Sequence, residues 1–321
     1  MKRVLIIDSN NLFLRSYIVN PSISLNGQPC GGLKGFFQSL QKICRQAKPD
    51  MIVACWDGAG GSKKRKSKKK DYKAGRSPIR LNRAIRNLSE DQEHENKIWQ
   101  HLRTIEYMNY MPVIQFVYEN VEADDVISYV AQHKRFEHWQ KLIISNDKDF
   151  YQLLDEKTVQ FRPVQNEILN RNAILDKFGL HPVNITLARA MAGDKSDNLP
   201  GIGSCGLATA AKRFPFLGDK EPHTLTDLVK HSKKMLQEKT LKVYENVVEN
   251  FDVLKLNYEM MQLYAPLLSY NTKSAINNTL EGVKLLFNRT EIRKKIVEDG
   301  LGEISLDEIF RLFNRIVLDN S

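Results

Sequence analysis

Val4-Leu5-Ile6-Ile7-Asp8 decides the fold of this chain: an unbroken apolar run, rich in branched residues, that ends on a carboxylate. Three further runs have the same character, Met51–Cys55, Val113–Val117 and Leu142–Ile144, and longer stretches with helical periodicity separate them. Short Val/Ile-rich runs without polar alternation are strands covered on both faces. Spaced by helices, they predict a mostly parallel central sheet flanked by helices, an α/β fold.

Three of the runs lead directly into acidic residues: Ile7 into Asp8, Cys55-Trp56 into Asp57, and Ile144-Ser145-Asn146 into Asp147. Ligands of such sheets gather at the carboxyl ends of the strands, so these carboxylates are expected to face one crevice. The fourth run continues through Tyr118–Val121 to Glu122-Ala123-Asp124-Asp125 at the head of a helix, Val126–Gln132, and brings a second acidic group to the same rim.

Asp147 and Asp149 stand at i, i+2, which puts both side chains on one side of an extended segment. Glu122 and Asp125, like Asp194 and Asp197, stand at i, i+3, so each pair can share a face. Hard oxygen donors of this kind suit Mg²⁺ or Mn²⁺, and two such ions about 3.5–4 Å apart are the apparatus of phosphodiester hydrolysis. Taken singly, each group has a plainer explanation: an Asp-Asp pair at a helix start is ordinarily a cap, and Asp194-Lys-Ser-Asp197 a solvated loop. Together, carboxylates crowded into one crevice repel one another and call for cations.

The rest of the composition narrows the class. The chain has 321 residues and a net charge of +10, with 48 Lys and Arg against 38 Asp and Glu, a balance that fits a polyanionic partner. Four dispersed cysteines and seven scattered histidines form no zinc or disulfide pattern, so metal chemistry must use carboxylates. The Val4–Ile7 run is too short for a signal sequence or membrane span, and a cytoplasmic protein is expected.

The positive charge is concentrated. Seven cations lie within Lys63–Lys70 (Lys63, Lys64, Arg65, Lys66, Lys68, Lys69 and Lys70), followed by Lys73, Arg76, Arg80, Arg83 and Arg86. The run is internal and starts soon after a strand-end aspartate. It is expected to lead into a helix whose first turn holds Pro78 and which carries Arg80, Arg83 and Arg86 at i, i+3. A disordered basic tail or a localisation signal is the plainer reading of such a run; its placement favours contact with phosphates, without base readout.

Beyond residue 160 strand signals thin out. Short helices are expected at Asn172–Phe178, Asn184–Ala192 and Leu207–Phe214, then a long helical stretch at Lys239–Gln262. Ser305-Leu-Asp-Glu308 reads as a capping box opening Ile309–Val317. The expected division is a core at 1–180, with the basic segment at about 60–90, and a helical region at 181–321.

These segments, in this order, resemble the flap endonuclease or 5′-3′ exonuclease family, which includes the 5′-nuclease domain of bacterial DNA polymerase I and stand-alone bacteriophage enzymes. The matching stretches are Leu5–Asn11 with Arg15, Gly27–Gly35, Cys55–Asp57, Asp71–Arg76, Val121–Asp125, Ser145–Phe150 and Gly193–Gly201, covering roughly residues 4–213. The resemblance implies a PIN-like nuclease core with a helical arch and a helix-hairpin-helix region. It assigns Asp8, Asp57, Glu122, Asp124, Asp125 and Asp147 to a first metal cluster and Asp149, Asp194 and Asp197 to a second. Lys73 and Arg76 would assist the scissile phosphate, Tyr72 would stack on a base, and Lys63–Arg86 would form the arch. Arg15, Gly31, Gly32 and Lys34 would lie on the DNA side.

The family's Gly-Ile-Gly hairpin, counted from Asp197, falls on Ser204-Cys205-Gly206, with Gly201-Ile202-Gly203 three residues earlier. Gly203, Gly206, Thr209 and Lys212 are therefore the expected duplex contacts, with a potassium ion at the hairpin. The implied activity is two-metal cleavage of 5′ flaps and 5′ ends of DNA, and of RNA annealed to DNA. The enzyme is expected to be a monomer that stands alone, works beside replication proteins and has no membrane role. Two alternatives belong to other classes: a metal-dependent endoribonuclease, and a catalytically silent flap-binding replication factor.

Overall fold

The computed structural model describes residues 1–76, 79–85, 88–302 and 307–319. Its centre is a six-stranded sheet ordered β3-β2-β1-β4-β5-β6. The strands are β1 (Arg3–Asp8), β2 (Met51–Trp56), β3 (Ile114–Val117), β4 (Gln140–Ile144), β5 (Thr158–Arg162) and β6 (Glu167–Leu169). β1 to β5 run parallel and β6 antiparallel to β5. All four apolar runs are strands of this sheet. Val4–Ile7 and all of β2 are buried, as a strand covered on both faces requires.

β5 and β6 were hidden in the sequence by polar residues. Gln160 is fully buried because its Nε2 donates to the carbonyls of Ser145 (2.8 Å) and Asp147 (2.7 Å), so a glutamine pins the loop beyond β4. The chain builds outward from β1 through β2 to β3, then returns to β4 on the other side of β1. The switch point therefore lies between β1 and β4, where Asp8 and Asp147 emerge.

The first helices are α1 (Ser9–Val19), α2 (Gly31–Ala47), α3 (Lys63–Lys68), α4 (Glu90–Met108) and α5 (Ala123–Ala131). Then come α6 (Arg171–Phe178), α7 (Pro182–Ala192), α8 (Leu207–Arg213), α9 (Leu225–Glu238), α10 (Lys242–Glu249) and α11 (Phe251–Met261). The last three are α12 (Tyr270–Gly282), α13 (Arg289–Glu298) and α14 (Asp307–Asp319). Gly179 in the left-handed region (φ +65°) stops α6, and α7 ends at Gly193.

Two helical expectations are corrected. Lys239–Gln262 is not one helix: it breaks at Asn250, because α10 buries Val243, Tyr244 and Val247 against α9 while α11 turns Leu254 and Met260 to other partners. The segment at 79–85 is not helical. Leu81 and Ile85 are drawn into the core, Asn82 donates to the Ile18 carbonyl (2.9 Å), and Arg80 is captured by Glu93 (2.9 Å) and Glu90 at the head of α4. Pro78, Arg86 and the Ser305 end of the capping box lie outside the described residues; Ile309–Val317 falls within α14.

Apolar packing does not divide at residue 180. The first core joins the sheet to α12–α14 through Ile276, Leu280, Ile292 and Phe313. The second gathers α6–α11 around Met191, Phe214, Leu228 and Leu254. All four cysteines are free and buried, and no described helix is long and apolar enough to cross a membrane.

Candidate active site

The carboxylates reach one crevice by the route the strand ends dictate. Asp8 closes β1, and its Oδ1 accepts from Asn11 N (3.1 Å), which caps α1, while Oδ2 accepts from Ser145 Oγ (2.7 Å). Asp57 follows β2. It accepts from Asn10 Nδ2 (2.7 Å) and from Ala123 N (2.8 Å), so it satisfies an N–H at the head of α5. Asp124 and Asp125 occupy the first turn of α5, with Glu122 as the residue before it. Asp147 and Asp149 lie beyond β4, where Asp147 Oδ1 accepts from Asp149 N (2.8 Å).

Asp124, Asp147 and Asp149 each place a carboxylate oxygen within 4.8 Å of the others. Their surroundings favour neutralisation. Burial pushes Asp8 up to about 6, against its hydrogen bonds from Ser145 and Asn11 and with added repulsion from Asp57. Burial, then repulsion from Asp149, pushes Asp147 up to about 8. Asp124 is held well above the usual range by burial and by Asp147 and Asp8. Oxygen donors that cannot all ionise without a counter-charge fit a hard divalent cation.

Other carboxylates are already answered by the chain. Arg65 pairs with Glu122 and with Asp125 (2.8 Å), and Lys73 Nζ lies 2.6 Å from Glu122 Oε1. Arg76 pairs with Asp197, and Arg189 of α7 bridges Asp149 and Asp194 (3.1 Å to the latter). Asp149 thus joins Asp124 and Asp147, while Asp194 and Asp197 are tied to the rim through arginines. Against its burial, Asp194 is held low by Ser196 and Arg189. Sequence reasoning missed Arg189, Asn10 and Ser145. Arg189 could have been noticed as a cation among Ile185, Ala188 and Ala190 on a helix leading to Asp194.

The basic segment differs from the expected arch. Lys63, Lys64, Lys66 and Lys68 are exposed along α3 and Lys70 just beyond it, with Lys64 Nζ on the Leu267 carbonyl (2.7 Å), Lys68 on Glu259 (2.8 Å) and Lys69 on Asp71 (2.6 Å). Arg65 is not a surface cation: it is 4% exposed and turned into the acidic rim. Tyr72 is buried against Leu199, Met260 and Met261, so its ring is not available to a base in this arrangement. Arg76, Arg80 and Arg83 are exposed.

Gly31 and Gly32, expected on the DNA side, have packing partners of their own. Both are buried at the start of α2, and the Gln100 side chain already accepts from Gly32 N (2.7 Å) and Leu33 N (3.1 Å). A Cβ on Gly31 would lie 1.9 Å from the Asn20 carbonyl oxygen, so this glycine serves close packing against the end of α1. Arg15 and Lys34 are half-buried.

Between α7 and α8 the chain turns through Gly203 (φ +83°) and Ser204 (φ +52°), and Gly206 caps α8, which carries Thr209 and the exposed Lys212. Asn246 Nδ2 donates to the Gly203 carbonyl (3.1 Å) and braces the turn from α10.

Residues 3–179 match the family described as "5′-3′ exonuclease, N-terminal resolvase-like domain". A 5′-3′ exonuclease of Aquifex aeolicus is 26% identical over 319 residues, covering 97% of both chains. The thermostable DNA polymerase I of Thermus thermophilus is 26% identical over 303 residues, 94% of this chain but 33% of the polymerase, so the chain spans about a third of that relative. The flap endonuclease of bacteriophage T5, solved as a pseudo-enzyme–product complex with DNA and metal ions, superposes with a TM-score of 0.65 at 17% identity. That match covers 94% of this chain and 100% of the phage protein, and it extends to the fold.

Proposed function

The chain belongs to the 5′-3′ exonuclease family, and on that premise we propose that it is a structure-specific 5′ nuclease that hydrolyses 5′ flaps and 5′ ends of DNA, and RNA annealed to DNA, with two divalent cations. The observation that carries this reading is the crowding of Asp124, Asp147 and Asp149 within 4.8 Å, with no basic side chain among the described residues paired to Asp124 or Asp147. Magnesium or manganese, when bound, supplies a more acidic water and neutralises charge developing on the phosphate.

The rest is the work of the chain's own residues. Asp8, Asp57, Asp124, Asp147 and Asp149 hold the cations, and hydrogen bonds from Ser145, Asn10 and Ala123 orient Asp8 and Asp57. Lys73, paired with Glu122, and Arg76, paired with Asp197, stabilise the phosphate as its charge builds. The exposed lysines of α3 track the backbone of a single strand, and the turn at Gly203 and Ser204, with Lys212, meets the duplex through backbone N–H groups. The Gly203 carbonyl is engaged by Asn246, and we assign no potassium ion to the turn.

The deciding experiment incubates end-labelled 5′-flap, nicked and RNA:DNA duplexes with the protein in magnesium or in chelator. Release of the flap in magnesium alone is expected. Cutting that persists in chelator sinks the metal mechanism. Cutting of single-stranded RNA without flap release points to an endoribonuclease, and tight flap binding without any cutting to a silent replication factor.

A further inference from the structure

Both carboxylate oxygens of Asp125 are held by one buried guanidinium. Arg65 Nη1 donates to Oδ2 (2.8 Å) and Nη2 to Oδ1 (3.3 Å), and the same Oδ1 accepts from Leu267 N (2.9 Å). The guanidinium also donates to Glu122 Oε2, and through Nε to the Met260 carbonyl (3.1 Å). One side chain from the middle of the basic run therefore ties α3 to the head of α5 and to the end of α11. The remaining oxygen of Glu122 holds Lys73 Nζ at 2.6 Å. Arg65, Glu122 and Asp125 are 4%, 4% and 2% exposed.

Helix geometry explains the separation of roles. Successive residues of an α-helix point about 100° apart, so Asp124 and Asp125 cannot aim at the same point. Asp124 faces Asp147 and Asp149, and Asp125 faces Arg65 and the loop at Leu267. A planar guanidinium reaches Glu122, both oxygens of Asp125 and a carbonyl at once, which a lysine cannot do.

We infer that Arg65 is a positioning residue that uses Glu122 and Asp125 as the buried seat of the basic segment, so that Asp124 is the only carboxylate of the α5 head left to hold a cation. The assignment of Asp125 to the metal set, which the family resemblance implies, is replaced by a structural role in this chain. Seating α3 in this way also sets where Lys73 stands against Glu122. What the seated segment does with a strand rests on the nuclease reading; the division of the carboxylates does not.

The test compares Arg65→Gln, Arg65→Lys, Asp125→Asn and Asp147→Asn in the full chain, each checked for native circular dichroism. Calcium binding is counted by calorimetry, and trypsin cutting within 63–70 is timed. Asp125→Asn is expected to keep the wild-type number of calcium ions, whereas Asp147→Asn loses at least one. Arg65→Gln is expected to be cut about tenfold faster within α3, with Arg65→Lys between it and wild type. On a flap substrate in magnesium, kcat of Arg65→Gln falls by about tenfold or more with KM changed less than about threefold.

Loss of a calcium ion in Asp125→Asn would make that residue a ligand and overturn the inference. Unchanged trypsin cutting in both Arg65 variants would overturn the seat. If Arg65→Gln does not fold, Arg65→Lys and Asp125→Asn decide the matter by the same readouts. Ion count and proteolysis do not depend on cleavage, so a failure of the nuclease reading would show only in the flap assay.

Discussion

Replacing Asp147 with asparagine should make the protein more stable and at the same time inactive. Burial and the nearby Asp149 push the Asp147 carboxyl from 3.8 up to about 8. Between those values the folded state holds a proton that the unfolded state has released. Stability therefore falls as pH rises through this window and stays at its lower level above it. At 1.4 kcal/mol per pH unit, the interval sets a ceiling of about 6 kcal/mol on the cost at pH 8.5, and water entering the crevice recovers roughly half. Asparagine keeps an oxygen to accept from Asp149 N and carries no charge, so Asp147→Asn should gain about 3 kcal/mol, or about 4–5 °C in Tm for a chain of this length. Thermal unfolding in chelator should show that gain at pH 8.5 and almost none near pH 4. Magnesium or calcium at pH 8.5 should narrow it by stabilising wild type more than the variant. A variant no more stable than wild type at pH 8.5 without cation would refute the claim that this carboxylate is strained, and with it the argument that the trio is built for a metal.

Lys73→Ala removes the ammonium 2.6 Å from Glu122 and leaves the α3 lysines in place. Single-turnover cleavage of a flap should slow on the order of a hundredfold, while flap affinity in calcium changes less than about threefold; an affinity loss as large as the rate loss would make Lys73 a binding residue. Gly31→Ala forces a Cβ to within 1.9 Å of the Asn20 carbonyl oxygen and should cost about 3 kcal/mol or more of stability. Its Tm falls while the folded fraction binds flap DNA as wild type does, and weaker binding at unchanged Tm would restore this glycine to the DNA surface.

The parts of the fold that were legible are those where burial is uniform. β1 and β2 are closed in on both faces, so their apolar runs could not be mistaken, and the aspartates at their ends inherited their positions from the sheet. β5 was hidden because Gln160 is buried by two carbonyl acceptors, not by apolarity. The basic run misled for a different reason. Charge density along a sequence does not say which cation turns inward, and Arg65 looks like its neighbours until α5 and α11 supply Asp125 and the Met260 carbonyl, 60 and 195 residues away. The burial of Tyr72 was hidden in the same way, since the methionines that bury it belong to α11. Motif spacing located Glu122 and Asp125 but could not show that an arginine already holds them.

The division of charge within the crevice says more about function than the number of carboxylates does. Glu122, Asp125, Asp194 and Asp197 each have an arginine or lysine against them, and Arg189 reaches Asp149 as well. Among the described residues no basic side chain pairs with Asp8, Asp124 or Asp147, and burial drives the carboxyls of all three upward. A site meant only to be stable would gain from pairing these three too, since unpaired buried carboxylates cost several kcal/mol. The chain has cations to spare, because Lys63 and Lys66 stand exposed on α3 and Lys70 just beyond it, a short distance along the same segment. Leaving the trio unanswered while arginines hold its neighbours keeps a place for a cation that the chain does not supply. An anionic phosphate can approach that place only once the negative charge there has been neutralised.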